Sequence, residues 1–132
     1  MPQAGGVLIV DDEPPIRMLL VRCLTGWGYA VRDVGSAIEA LDAMAAEPAD
    51  MMLCDVAMPE HDGLWLAGQV HERWPRTAII MCTAQDDTKT VRTSRKLGAL
   101  AYVTKPFDMD MLRQALDVAS GRARFRPSSK PT

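Results

Sequence analysis

The sequence predicts an α/β fold in which a parallel sheet carries helices on both faces and collects its chemistry along one edge. Three observations lead there. Short apolar runs alternate with stretches of one-sided helical spacing, and right-handed crossovers assemble such an alternation into a parallel sheet covered on both sides. The apolar runs are continuous, as in strands buried on both faces. Four of them end in polar residues: Val7-Leu8-Ile9-Val10 in Asp11-Asp12-Glu13, Met51-Met52-Leu53-Cys54 in Asp55, Ala78-Ile79-Ile80-Met81-Cys82 in Thr83, and Leu100-Ala101-Tyr102-Val103 in Thr104-Lys105-Pro106. Strands that deliver polar residues at their C-terminal ends build one site on one edge.

The elements follow in order. After the strand Val7 to Val10, Pro14-Pro15 opens a helix where a missing N–H costs nothing, and Ile16, Leu19, Leu20, Cys23 and Leu24 recur on one face. Gly26 and Gly28 stop it. Tyr29 to Val34 alternates as a more exposed strand does. Ser36 and Glu39 form a capping box for a second helix carrying Ile38, Leu41, Met44 and Ala45, which Pro48 and Asp50 close. The third strand ends at Asp55, and the turn formers Pro59 to Gly63 lead to a helix with Leu64, Ala67, Val70 and Trp74, terminated by Pro75. Ala78 to Cys82 is the fourth strand. The helix Thr88 to Leu97 has only Val91 and Leu97 as strong apolar residues, so it is expected to dock loosely. Gly98 ends it, Leu100 to Val103 is the fifth strand, and Asp108 caps a last helix that turns Leu112, Ala115, Leu116 and Ala119 inward.

A chain of 132 residues fits one domain, and a domain of that size buries roughly two-thirds of its unfolded surface. Residues 1–120 form that domain; from Gly121 the basic, Pro- and Ser-containing stretch has no apolar period and reads as a tail or linker. No apolar run is long enough to span a bilayer and no signal-peptide pattern opens the chain, so a cytoplasmic protein is expected. A net charge of −2 favours neither nucleic acid nor an anionic membrane. Cys23, Cys54 and Cys82 lie in apolar segments without metal-ligand spacing and read as buried hydrophobes in a reducing compartment.

Adjacent carboxylates at Asp11-Asp12 facing a third at Asp55 repel one another at neutral pH unless a proton or cation sits between them. Oxygen-only ligands favour Mg²⁺, which shares its shell readily with phosphate oxygens. Lys105 adds the compact positive charge a phosphoryl group needs, and Thr83 a hydroxyl for one of its oxygens. Singly, each group has a plainer account: Asp11-Asp12-Glu13 as an acidic helix start favoured by the dipole, Lys105 as a solvated turn residue. Their joint placement at four strand ends is what those accounts leave unexplained.

The set Asp11-Asp12, Asp55 within Asp-x-x-Met-Pro-x-x-Asp-Gly, Thr83-Ala84 and Lys105-Pro106 resembles the receiver domain of two-component response regulators, over roughly residues 6 to 120. The resemblance implies a flavodoxin-like, doubly wound sheet of five strands in the order 2-1-3-4-5 with five helices, the order the chemotaxis member of the family exemplifies. It implies that Asp55 accepts a phosphoryl group from a phosphohistidine, and that Asp12, Asp55 and the Ala57 backbone carbonyl hold Mg²⁺, with Asp11 nearby through water. Lys105, Thr83 and the Ala84 N–H would hold the phosphoryl oxygens. Tyr102 matches the switch aromatic, and Lys105-Pro106 a bond usually cis in the family. The implied partners are a sensor histidine kinase or phosphotransfer protein upstream and an output domain or effector protein downstream, reached through the surface of the fourth helix, fifth strand and fifth helix. Phosphorylation-dependent dimerisation is one form of that output; membrane contact and direct nucleic-acid binding by this domain are not implied. The chain departs from the commonest family pattern at Ala57, which has no polar side chain, so Gln85 is left to orient the water that would hydrolyse a phospho-Asp55.

His61 reads as an exposed loop histidine, His71 as a surface residue, and Trp65 and Trp74 as partly exposed. Two other functions stay in view. A Mg²⁺-dependent phosphatase normally places a second acid-base Asp where Ala57 stands, and a nucleotide- or flavin-binding module wants a glycine-rich loop where this chain has Asp-Asp-Glu-Pro-Pro.

Overall fold

In the computed structural model, which describes residues 6–84 and 88–121, strand and helix alternate without exception: β1 (Gly6–Val10), α1 (Pro14–Gly26), β2 (Ala30–Val34), α2 (Ala37–Ala46), β3 (Met51–Asp55), α3 (Gly63–Arg73), β4 (Ala78–Thr83), α4 (Thr88–Lys96), β5 (Ala99–Thr104) and α5 (Met109–Ser120). All neighbouring strands are parallel, in the order β2-β1-β3-β4-β5. The chain leaves β1 toward β2 on one side and returns to β3 on the other, which opens a crevice at the C-terminal ends of β1 and β3. Register aligns those ends: Val10 is level with Cys54, Asp55 with Cys82, and Thr83 with Thr104.

The two-residue period of the strands splits the core into two layers. Leu8, Val10, Met52, Cys54 and Met81 point to the side covered by α2 and α3, where Ala40, Met44, Leu66 and Val70 meet them. Val7, Ile9, Met51, Leu53, Ile80 and Cys82 point to the other side, against Leu20 and Leu24 of α1 and Leu112 and Leu116 of α5. Every residue of β3 is buried, including Asp55.

The helix starts follow their local chemistry. Prolines occupy the first turn of α1. The Asp108 carboxylate accepts from the N–H groups of Asp110 and Met111 at 3.0 and 3.2 Å, and Asp62 caps α3 by accepting from Trp65 N–H at 2.9 Å. Ser36 accepts from Glu39 N–H at 3.1 Å, but the return bond of the predicted box goes one residue further back, from Gly35 N–H to the Glu39 carboxylate at 2.8 Å.

Three packing expectations need correction. Leu19 and Ile38, placed inward by spacing, are 45% and 47% exposed. Leu20 and Leu24 define the buried stripe of α1, and Ala37, Ala40 and Met44 that of α2, so small alanines take a place that counting large residues assigned to isoleucine. The fifth strand, read as a buried run, lies at the sheet edge with Leu100 54% exposed and Val103 its one fully buried residue. As expected, α4 is thinly anchored: Val91 and Leu97 are half-buried and Ser94 is the buried side chain among those described. The tail 122–132 lies outside the described residues. No described helix is long and apolar enough to cross a membrane.

Candidate functional site

At the carboxyl edge of the sheet, the ends of β1, β3 and β4 and the turn after β5 bring together Asp11, Asp12, Asp55, Thr83 and Lys105. Asp11 and Asp55 are 2% and 4% exposed. One carboxylate oxygen from each of Asp11, Asp12, Glu13 and Asp55 falls in a group whose atoms lie within 4.8 Å of one another. Lys105 reaches into this group: its Nζ is 2.9 Å from Asp11 Oδ2 and 3.4 Å from Asp55 Oδ1. The repulsion foreseen between these carboxylates is thus partly relieved by the chain's own ammonium.

Backbone bonds hold the geometry. Lys105 N–H donates to the Thr83 carbonyl at 2.7 Å, Val56 N–H to Cys82 at 2.8 Å, and Asp11 N–H to Val34 at 3.2 Å. Asp55 Oδ1 accepts from Ala57 N–H at 3.3 Å, and Asp11 Oδ1 from Glu13 N–H at 2.9 Å. The Lys105–Pro106 peptide is cis.

Burial raises the Asp55 pKa from 3.8 to about 6; Lys105 opposes that rise, Asp11 adds to it, and the Ala57 N–H bond works against it. For Lys105, burial pulls the pKa down, but the carboxylates of Asp11 and Asp55 outweigh it and the net shift is upward. Asp55 is therefore a carboxylate at neutral pH beside a firmly charged ammonium. Cys54 and Cys82 are fully buried, and burial first, with Asp55 and Asp11 among the further causes, pushes both thiols well up. Neither offers the thiolate that redox chemistry needs.

The remaining predicted residues distribute as follows. Thr83 is buried at the end of β4. Ala57 is exposed in the loop after β3. Tyr102 is half-buried at the sheet edge, where it lines a hollow of about 250 Å³ between α4 and β5 together with Val91, Ser94 and Arg95, and a second hollow with Asp108 and Met111. Gln85 lies outside the described residues. His61 is half-buried, contrary to the expectation of an exposed loop residue, because its ring stacks on Trp65 at 4.1 Å. His71 is at the surface, as read, yet its ring abuts the left-handed turn at Gly98 (φ +93°), where a Cβ would come within 2.4 Å of it.

Two site residues escaped the sequence reading. Glu13 was seen only as part of an acidic helix start; following Asp12 directly, it brings a further carboxylate to the cluster. Gly63 entered as a turn former and as the last residue of the Asp-x-x-Met-Pro-x-x-Asp-Gly motif, without its packing role: a Cβ there would sit 2.1 Å from the Asp55 carbonyl oxygen. The Asp-Gly pair before a helical pattern was the available signal.

Comparison with known proteins gives the same direction throughout. The family described as response regulator receiver domain matches residues 7–117. The DNA-binding transcriptional regulator NtrC of Klebsiella pneumoniae is 40% identical over 98% of this chain and 29% of its own length. The transcriptional regulatory protein ZraR of Salmonella typhimurium is 33% identical over 96% of this chain and, again, 29% of its own. The chain therefore spans less than a third of these relatives. The structure of the Vibrio cholerae chemotaxis protein CheY4 superposes with a TM-score of 0.81 at 28% identity, covering 85% of this chain and 95% of that one.

Proposed function

The chain belongs to the response regulator receiver domain family of two-component signalling, and on that premise we propose that it is a phosphoacceptor switch with Asp55 as the acceptor. An Asp55 oxygen attacks the phosphorus of a phosphohistidine on a sensor kinase or phosphotransfer protein; the P–O bond forms as the P–N bond breaks, and the electron pair leaves with the donor imidazole. The observation that carries the reading is the buried Asp55 carboxylate held 3.4 Å from the Lys105 ammonium in a crevice lined by Asp11 and Asp12. Phosphoryl transfer has a loose transition state that needs positioning and neutralisation of oxygen charge more than covalent help. Lys105 would follow charge from the carboxylates to the incoming phosphoryl oxygens, and the Thr83 hydroxyl and Ala84 N–H would hold others of those oxygens.

The donor set fits Mg²⁺: four carboxylate-bearing residues, no His or thiolate, and an exposed side for water and phosphate. Asp12, Asp55 and the Ala57 carbonyl would hold it, with Asp11 through water and Glu13 close by; when bound it supplies further neutralisation of phosphoryl oxygens. The altered charge at Asp55 would bias Thr83, Tyr102 and the thinly anchored α4, changing the surface of α4, β5 and α5. NtrC and ZraR are transcriptional regulators much longer than this chain, so the signal would pass to an output domain or effector.

A small phosphodonor such as acetyl phosphate tests the proposal. With Mg²⁺, labelling is expected to stop at one phosphoryl group per chain and to disappear with chelator or in Asp12→Ala. Continued release of phosphate would indicate a phosphatase, and no labelling under any condition would remove the acceptor reading.

The lifetime of the label follows from its neighbours. Ala57 cannot hold a water in line behind the phosphorus, while Gln85 has both donor and acceptor to do so. Ala57→Asn is expected to shorten the phosphorylated state and Gln85→Ala to prolong it, each by roughly tenfold or less, since orienting one water is worth about a kcal/mol. Decay of label after donor removal measures both, and equal lifetimes for all three proteins would show that this pair does not gate water.

A further inference from the structure

We infer that Arg17 is a positioning residue for the metal-binding edge, a clamp that fixes Asp12 through the backbone of Asp11. The inference rests on the Mg²⁺ site proposed above. Asp12 contributes to the carboxylate cluster, yet its side chain makes no hydrogen bond or ion pair among the described residues. Its place is therefore set by the main chain, and the peptide that precedes it is gripped. Arg17 Nη1 donates to the Asp11 carbonyl at 2.8 Å, which fixes the orientation of the Asp11–Asp12 peptide and with it the origin of the Asp12 side chain.

The guanidinium is itself seated. Its Nε pairs with Asp33 Oδ2 at 3.1 Å, and it lies in the notch left by Gly35, where a Cβ would come 2.9 Å from Nη1. Glu39, holding Gly35 N–H at 2.8 Å, closes the same notch. The rigid guanidinium fork holds a carbonyl of one loop and a carboxylate of the neighbouring strand through separate nitrogens; a lysine offers both a single nitrogen on a flexible stem and fixes them less firmly. The ends of β1 and β2 and the start of α2 thus converge on one side chain.

The clamp and simple charge predict opposite signs. Arg17 is a cation beside an acidic cluster, so its charge alone opposes Mg²⁺, and removing that charge would tighten binding. Loss of a clamp instead loosens Asp12 and weakens binding. The experiment is titration with Mg²⁺ alone, followed by amide NMR shifts of residues 11–13 and 55–57 in wild type, Arg17→Ala and Arg17→Lys. Arg17→Ala is expected to weaken Mg²⁺ by roughly tenfold, the usual scale for losing a group that orients a ligand, and Arg17→Lys by less. Unchanged or tighter binding in Arg17→Ala overturns the clamp. If that variant does not fold, Arg17→Lys carries the test, and wild-type affinity there overturns it equally. No Mg²⁺ response in the wild type overturns the metal site itself, a result distinct from a wild-type response that Arg17 does not influence.

Discussion

Asp55→Asn is expected to abolish phosphorylation and, in the same protein, to raise stability at neutral pH. The amide lacks the anionic oxygen that attacks phosphorus, so labelling falls below detection while the fold persists. The stability gain follows from the pKa of Asp55, raised from 3.8 to about 6 chiefly by burial. A carboxyl with a raised folded pKa stabilises the fold fully below 3.8 and loses that contribution as pH rises through about 6. At pH 7 the wild type therefore bears the cost of a buried charge that the amide avoids. The gain is bounded above by about 3 kcal/mol, the free energy of a pKa difference of that size. Lys105 limits the compensating loss, because it keeps Asp11 at 2.9 Å. Denaturant unfolding in chelator checks this: the gap between the two proteins should open between about pH 4 and 7, and a gap that is flat with pH would contradict the assignment.

Residues whose place follows from the C-terminal end of a strand were legible. Asp11, Asp12, Asp55, Thr83 and Lys105 each follow an apolar run, and parallel register brings such positions level without further information. What the order of residues conveyed poorly was contact across elements. Arg17 reads as one more solvated helical arginine until its guanidinium is seen against the Asp11 carbonyl and Asp33. The stack of His61 on Trp65 was equally hidden, since both read singly as surface residues. Lys105, read as the positive charge a phosphoryl group needs, also bridges Asp11 and Asp55, two buried carboxylates within its reach that its position in the sequence alone does not identify as partners. The misplacement of Leu19 and Ile38 has a related cause: periodicity says that a helix has an inner face, but the alanines that let α2 approach the sheet decide which face it is.

Gly63→Ala is expected to cost the domain about 1–3 kcal/mol or more, the range for forcing atoms into a packed site, and to slow phosphorylation at the same time. The added methyl carbon would stand 2.1 Å from the Asp55 carbonyl oxygen, 2.8 Å from its carbonyl carbon and 2.9 Å from Val56 Cα. All three are backbone atoms, so no rotamer change relieves the clash. Either the first turn of α3 must withdraw or the end of β3 must bend. Withdrawal breaks the Gly63 N–H bond to the Val56 carbonyl, 2.8 Å long, and lifts Leu66 and Ala67 from the core beneath Val10 and Cys54. Bending β3 moves Asp55 itself, and a displacement of about 1 Å at a reacting atom is enough to lower a rate by roughly a hundredfold. Both routes lower stability, and bending β3 lowers labelling with it, unlike Asp55→Asn, where stability rises as labelling is lost. Denaturant unfolding alongside the rate of labelling by acetyl phosphate measures the pair; a Gly63→Ala protein as stable and as quickly labelled as wild type would contradict both routes.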